Sequence, residues 1–183
     1  MTPLAPPHGP GGFVFWRLDQ ASFAPKWDSG EGAFRAGGRW TPVGIRAVYC
    51  ALDPATAILE VAVHRGFRVL DTMPHMLTSA RVNDPADIFV VDPASVPNVN
   101  WLRPGTPGAG QQAFGARLLA GRRFVLIPSA VSTHSWNLLF DSTRGWRLHA
   151  ARAGGVRAGY PAASTDRGKL RQVPPAAKGR EAL

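Results

Sequence analysis

The most informative stretch of this chain is residues 37–66, which read GGRWTPVGIRAVYCALDPATAILEVAVHRG. Residues 47–52 are rich in strand-forming side chains and follow a turn-like TPVG, so they predict a β-strand. Asp53 then offers a helix N-cap and Pro54 a favourable first helical residue, and the apolar pattern predicts a helix that stops at Gly66. A strand that passes directly into a helix is typical of a compact domain that mixes both elements.

The segments on either side of this stretch support the same fold class. Short apolar segments predict further strands at 13–18, 87–91, 124–127 and 136–140. Residues 111–120 predict a helix that ends at Gly121. No internal repeat is found, so we expect one α/β mixed (α+β) domain built on a mixed sheet.

Charge is unevenly distributed along the chain. The 183 residues include 21 Lys and Arg against 12 Asp and Glu, a net charge of +9, and 45% of them are hydrophobic. The net charge is +2 through Asp141 and +7 over residues 142–183, which are also rich in Ala, Gly and Arg. We therefore expect a flexible Pro- and Gly-rich leader at 1–12, a nearly balanced domain at 13–141, and a basic, poorly ordered tail at 142–183.

Several classes of protein are disfavoured by what the sequence lacks. Cys50 is the single cysteine, so the chain cannot form an internal disulfide, and no cluster of Cys and His has zinc-site spacing. No apolar run approaches the ~18 residues that a membrane span needs, and the first residues do not resemble a secretion signal. We expect a cytoplasmic protein without a metal site.

One polar stripe crosses the predicted helix. Thr56, Glu60 and His64 are spaced by four residues and share a face of an otherwise apolar helix. Such a stripe is usually the water-facing side of a surface helix. The alternative is that the apolar neighbours bury most of the helix, so that Glu60 lines a cleft.

Four further side chains could belong to a site, each with a simpler structural explanation. Arg39 follows two glycines and could bind phosphate or stack on Trp40 at the surface. Arg17, inside an apolar strand, either faces solvent or is paired in a site, and Tyr49 is either a core residue or a ring platform. Ser129 follows a buried strand, but no nucleophile elbow, P-loop or dinucleotide-binding glycine motif is present.

Taken in order, three segments resemble the RES domain, the toxin half of bacterial Xre-RES toxin-antitoxin pairs. They are FWRL at 15–18, the stretch from GGRW to the AVH at 62–64, and RFVLIPSAVSTHSWNLLFD at 123–141. The resemblance implies a small ADP-ribosyltransferase-like domain with a cleft for NAD. Its members hydrolyse or phosphorolyse NAD or transfer ADP-ribose to a protein, so NAD is a consumed substrate and no resident cofactor is expected.

The same resemblance implies roles for individual residues. Arg17 and Arg39 would bind the pyrophosphate and ribose region, and Tyr49 would be a platform beside the nicotinamide. Glu60 would be the central catalytic carboxylate, with Arg39 and Tyr49 as the other catalytic residues, and Ser129 a further contact in the cleft. These residue types suit the chemistry, because a carboxylate stabilises the positive charge that develops on ribose and arginine forks bind diphosphate.

The resemblance also implies binding partners, and the sequence after Asp141 leaves other functions open. It implies an Xre-type antitoxin, a homodimer within that complex, and contact with nucleic acid only through the antitoxin. Asn137 matches the family's later asparagine, for which a structural role near the site is expected. After Asp141 the sequence lacks the family's closing apolar segment, which leaves open two other functions: nucleic-acid binding by the basic tail, or an inactive remnant that binds antitoxin.

Overall fold

A seven-stranded mixed sheet is the centre of the computed structural model, which describes residues 13–103, 105–144 and 149–156. The spatial order of the strands is β4-β5-β6-β2-β1-β3-β7. Neighbouring strands are antiparallel except β4 and β5, which are parallel. The strands are β1 (Phe13–Gln20), β2 (Ala47–Ala51), β3 (His75–Val82), β4 (Ile88–Val90), β5 (Phe124–Pro128), β6 (Trp136–Asp141) and β7 (His149–Val156).

Four α-helices accompany the sheet in the described ranges. They are α1 (Glu31–Ala36), α2 (Pro54–Arg65), α3 (Phe67–Thr72) and α4 (Ala109–Gly121), and short 3-10 turns lie at Ala24–Lys26, Pro85–Asp87, Pro93–Ser95 and Ser142–Arg144. Helix α2 begins as predicted, with Asp53 Oδ1 accepting a hydrogen bond of 2.7 Å from the Thr56 amide. It ends at Gly66, whose φ of 83° favours glycine.

The mixed α+β class is confirmed, and each predicted strand and helix is present with ends shifted by a few residues. Sequence reasoning missed α1, α3, β3 and β7. The β3 segment reads HMLTSARV and mixes polar with apolar residues. Its strand conformation depends on pairing with β1 along its whole length, which local sequence does not report.

The expected tail at 142–183 is wrong at its start. Strand β7 lies inside it and pairs with β3 from His75↔Val156 to Arg81↔His149, with an irregularity between Leu77 and Thr78. A strand gains order through backbone hydrogen bonds to its neighbour, so it does not need the large apolar residues that this segment lacks. The boundary at Asp141 was therefore set too early, whereas the predicted leader at 1–12 and the residues after 156 lie outside the described residues.

The core is divided between the two faces of the sheet. Leu126 and Leu138 belong to a cluster that contains Phe15 and Phe140. Val125, Ile127 and Leu139 alternate to the other face, where they meet Leu119 of α4 and two buried tryptophans, Trp40 and Trp101. A smaller cluster of Leu18, Ala62 and Leu70 fixes α2 and α3 against β1.

The sheet opens between β1 and β2. These strands pair at a single register position, Trp16↔Ala51, although β1 pairs with β3 over its full length and β2 pairs with β6 over its full length. Beyond that position the two strands separate. The opening leads into a cavity, and helix α2, which follows β2, supplies another of its walls.

Candidate active site

The cavity at this opening has a volume of about 450 Å³, within the range typical of small-molecule sites. Strand β1 contributes residues from Trp16 to Gln20, β2 contributes Tyr49 and Cys50, and α2 contributes Glu60 and His64. The GGRW loop, residues 37–40, forms part of the remaining wall. The three arginine and carboxylate residues predicted for the site, Arg17, Arg39 and Glu60, therefore share one cavity.

Glu60 is held by side chains from three parts of the chain. Its Oε1 accepts hydrogen bonds from Asn137 Nδ2 at 2.7 Å and from Ser129 Oγ at 3.0 Å. Its Oε2 lies 3.2 Å from His64 Nε2, one turn further along α2. The Glu60 side chain is 23% exposed, so it reaches the cavity while most of its surface is packed.

The charge state of Glu60 follows from two opposing effects. Burial raises the pKa of its carboxyl group, but the hydrogen bonds from His64, Asn137 and Ser129 together outweigh burial. The net pKa lies below the ordinary value of 4.5, so Glu60 is a carboxylate at neutral pH. A fixed carboxylate beside a cavity can stabilise a developing positive charge or accept the proton of a hydroxyl group.

The polar stripe of α2 changes its surroundings along the helix. Thr56 is buried and donates its hydroxyl to Asp53 Oδ2, whereas the His64 side chain is 59% exposed. Glu60, between them, faces the cavity. Of the two interpretations of the stripe, the one in which Glu60 lines a cleft agrees with the structure.

Ser129 does not line the cavity, contrary to the expected substrate contact. Its side chain has 0% exposure, and its hydroxyl donates to Glu60 while accepting from the amides of Val131 and Ser132. It therefore acts on the site through Glu60. Asn137 does line the cavity, and its Oδ1 is a buried acceptor that has no hydrogen-bond partner among the residues that the structure describes.

Arg17 is paired inside the site rather than facing solvent. Its Nε and Nη2 donate to the Asp19 carboxylate at 2.9–3.1 Å, and its Nη1 donates to the Tyr49 carbonyl at 2.8 Å. Asp19 was missed by sequence reasoning. The available signal was its spacing, because residues two apart in a strand point to the same face.

Arg39 is not stacked on an exposed tryptophan. Trp40 is 2% exposed and packs against Trp101 and Phe114, with ring centroids 5.5 and 6.5 Å away. Arg39 lines the cavity and donates from Nη1 to the carbonyls of Trp101 and Arg103. Because both of these partners are neutral, they do not offset the positive charge that Arg39 brings to the cavity wall.

Tyr49 contacts the cavity and also supports the loop that carries Arg39. Its hydroxyl is 2.9 Å from Thr41 Oγ1 and accepts from the Trp40 amide at 3.2 Å. Burial raises the pKa of Tyr49, so the phenol is neutral. A side chain at Gly38 would collide with the Tyr49 hydroxyl, which explains the second glycine of GGRW.

Cysteine chemistry and metal binding have no support in the part of the chain that the structure describes. Cys50 is buried, and burial raises the pKa of its thiol to about 12, so it is not a nucleophile at neutral pH. Across the described ranges, no group of three or more His, Cys, Asp and Glu is placed to hold a metal ion. The helices of those ranges include none that is both long and apolar enough to cross a bilayer.

Comparisons with known proteins found a matching family model, related sequences and a similar fold. The family model described as the RES domain matches residues 14–159, which extends past Asp141 as β7 does. A relative from Sphingobium sp. (strain YBL2), named Prs ADP-ribosylating toxin, is 33% identical over 69% of this chain and 81% of its own length. A protein named Toxin Res from Photorhabdus laumondii is 28% identical over 70% of this chain and 81% of its own length.

A solved structure, described as the M. tuberculosis MbcT-MbcA toxin-antitoxin complex, has a similar fold. The match has a TM-score of 0.62 at 23% identity and covers 77% of this chain and 84% of the matched chain. It confirms the predicted mixed α+β fold.

Proposed function

This chain belongs to the RES domain family, and from that membership we propose that it is a toxin that consumes NAD by cleaving the bond between nicotinamide and ribose. The observation that carries the proposal is the fixed Glu60 carboxylate in a cavity that also contains Arg17 and Arg39. Two arginines suit a diphosphate, and one buried carboxylate suits a reaction that develops positive charge on a sugar.

Glu60 would act on the ribose next to the nicotinamide. Loss of nicotinamide generates an oxocarbenium-like sugar, which an adjacent anion stabilises in a site with little water. Since Ser129 and Asn137 already hold Oε1, the carboxylate does not need to reorient during the reaction. His64, beside Oε2, helps to keep Glu60 ionised when the substrate displaces water.

The arginines would divide the recognition of the diphosphate. Arg39 contributes net positive charge, because it is bound only to backbone carbonyls in the described part of the chain. Arg17 is neutralised by Asp19 and contributes directed N–H groups instead. The neutral Tyr49 ring, which lines the cavity, would pack beside the nicotinamide.

Three acceptors could receive ADP-ribose: water, phosphate or a protein side chain. The name of one relative, Prs ADP-ribosylating toxin, indicates that this relative transfers ADP-ribose. The resemblance to a toxin-antitoxin complex supports an antitoxin as the partner of this chain, with Xre type and a homodimeric complex as the finer expectation. The reaction would take place in the cytoplasm.

The test is release of nicotinamide from NAD by the purified chain, measured by chromatography with and without phosphate. Glu60→Gln keeps the size of the side chain and removes its charge, so we expect release to fall about 100-fold or more. Glu31→Gln is the matched control, since Glu31 pairs with Arg35 and Arg46 outside the cavity. No release by the unaltered chain would refute the proposal.

The acceptor is identified in the same experiment. Dependence on phosphate indicates phosphorolysis, free ADP-ribose indicates hydrolysis, and label from NAD on a protein indicates transfer. Equal activity of Glu60→Gln and the unaltered chain would remove Glu60 from the reaction.

A further inference from the structure

Asp19 is the one carboxylate that contacts a proposed substrate-binding arginine in this cavity, among the residues that the structure describes. We propose that Asp19 is a positioning residue that presents the Arg17 guanidinium to the diphosphate of the dinucleotide. The inference rests on the proposed function, and it concerns a residue to which the sequence assigned no role.

The pairing between the two side chains is specific in geometry. Arg17 and Asp19 are two residues apart on β1 and share a face of the strand. Arg17 donates from Nε to both carboxylate oxygens, at 3.1 and 2.9 Å, and from Nη2 to Oδ1 at 2.9 Å. Side-chain exposures of 27% for Arg17 and 12% for Asp19 show that the pair is mostly removed from water.

A third contact fixes the guanidinium across the opening of the sheet. Arg17 Nη1 donates to the Tyr49 carbonyl of β2 at 2.8 Å, at a level where β1 and β2 no longer pair through their backbones. The plane of the guanidinium is thus set by Asp19 on one strand and Tyr49 on the other. Arginine has five N–H groups, so one on each terminal nitrogen is still available to bind an anion.

This arrangement orients the Arg17 guanidinium, but the Asp19 carboxylate cancels its positive charge, so the pair is neutral overall. A free guanidinium would attract a diphosphate more strongly at long range, but it would have to lose side-chain freedom on binding. A guanidinium that is already fixed can donate two N–H groups to phosphate oxygens without that cost. Arg39 supplies the net positive charge that Arg17 lacks.

The opposite role for Asp19 makes a different prediction. If Asp19 only competed with the substrate for Arg17, its removal would free the guanidinium and lower the KM for NAD. If Asp19 positions Arg17, its removal leaves a mobile cation and raises KM. The direction of the change in KM therefore separates the two roles.

The experiment compares the full chain with Asp19→Asn and with the control Asp87→Asn. Asp87 also accepts two hydrogen bonds from one arginine, Arg123, at 3.0 Å, but it lies outside the cavity. For Asp19→Asn we expect the KM for NAD to rise about 10-fold while kcat changes less than about 2-fold. For Asp87→Asn we expect neither value to change.

A second readout does not depend on activity. In ¹⁵N-resolved NMR spectra, the Nε–H signal of Arg17 should be sharp and protected from exchange in the unaltered chain and lost in Asp19→Asn. Combining Asp19→Asn with Arg17→Lys should raise KM little beyond Arg17→Lys alone, because lysine has no fork for Asp19 to orient.

Three results would overturn the inference: an unchanged or lower KM in Asp19→Asn, additive effects in the double variant, or an Arg17 Nε–H signal that survives the substitution. If Asp19→Asn does not fold, the same measurements on Asp19→Glu test the positioning role, and we expect a smaller rise in the KM for NAD. If the unaltered chain releases no nicotinamide, the proposed function fails, and the NMR signal still tests whether Asp19 fixes Arg17.

Discussion

Glu60 illustrates how neighbouring side chains can prepare a single residue for its chemistry. Ser129 is fully buried, and its hydroxyl group donates a hydrogen bond to Glu60 and accepts hydrogen bonds from two backbone amides. Asn137 donates to the same carboxylate oxygen from β6. The carboxylate is therefore oriented and ionised before any ligand arrives.

Replacing Asn137 by aspartate should change the pH at which Glu60 works. In the unaltered chain the pKa of Glu60 is depressed, so the acid limb of nicotinamide release should have its midpoint below pH 4.5. Asn137→Asp replaces a donor with a second negative charge, which raises the pKa of Glu60. The acid limb of the kcat profile should then move to higher pH by about one unit or more.

The control for this change is Asn83→Asp, since Asn83 is exposed at the end of β3. Its pH profile should match that of the unaltered chain. An acid limb that stays in place in Asn137→Asp would show that Asn137 does not set the ionisation of Glu60.

At the residue scale, the sequence predicted which side chains belong to the site better than it predicted the hydrogen bonds between them. Glu60 and Arg39 were predicted from the polar stripe of α2 and the GGRW motif together with the resemblance to the RES domain, and both line the cavity. The contacts of Ser129 and Asp19 were not predicted. They depend on which strands lie side by side and where two strands separate, and local patterns do not contain that information.

At the scale of elements, helix α4 and the GGRW loop are packed in direct contact. Gly115, in the interior of α4, is buried, and a Cβ there would overlap the Trp40 carbonyl oxygen. Glycine within a helix costs about 0.5–1 kcal/mol of stability relative to alanine. Its presence is explained by this close approach, which positions the loop that carries Arg39.

Gly115→Ala should therefore destabilise the protein, by about 1–3 kcal/mol, because it forces the helix away from Trp40. The matched control is Gly110→Ala in the first turn of the same helix, where a Cβ meets nothing within 4 Å. That substitution should leave stability unchanged or raise it by up to about 1 kcal/mol. Urea unfolding followed by tryptophan fluorescence measures both, and equal midpoints would contradict the close-packing argument.

Elements with strong local signals were predictable, and elements defined by their neighbours were not. Helix α2 has an N-cap, an early proline and a terminal glycine, so its start and its end were both predicted. Strand β7 has no such signal and is a strand because β3 offers it a ladder of backbone groups. Helices α1 and α3 have six residues each, too short for a 3.6-residue period to stand out.

At the scale of the whole molecule, the net charge of +9 belongs mostly to residues after Asp141, whereas the described residues that line the cavity lie before it. A basic segment binds nucleic acid through phosphate contacts whose strength falls steeply with salt. Nicotinamide release and any binding to nucleic acid should therefore be separable.

Changing Arg167, Lys169, Arg171, Lys178 and Arg180 to glutamine lowers the net charge from +9 to +4 and replaces none of the described residues that line the cavity. Nicotinamide release should stay within about 2-fold, and any affinity for duplex DNA should fall, with a shallower dependence on salt. Fluorescence anisotropy with a labelled duplex at two salt concentrations measures the latter. Loss of nicotinamide release would instead assign the tail a part in the reaction.

The single backbone pairing between β1 and β2 divides the sheet into two half-sheets. One half, β4-β5-β6-β2, carries Tyr49 and Asn137, and the other, β1-β3-β7, carries Arg17 and Asp19. The last strand of the second half is β7, which pairs with β3 as β3 pairs with β1. Two ladders of backbone hydrogen bonds therefore join this outer strand to β1, so the strand that carries Arg17 and Asp19 is supported by backbone contacts as well as by side-chain packing.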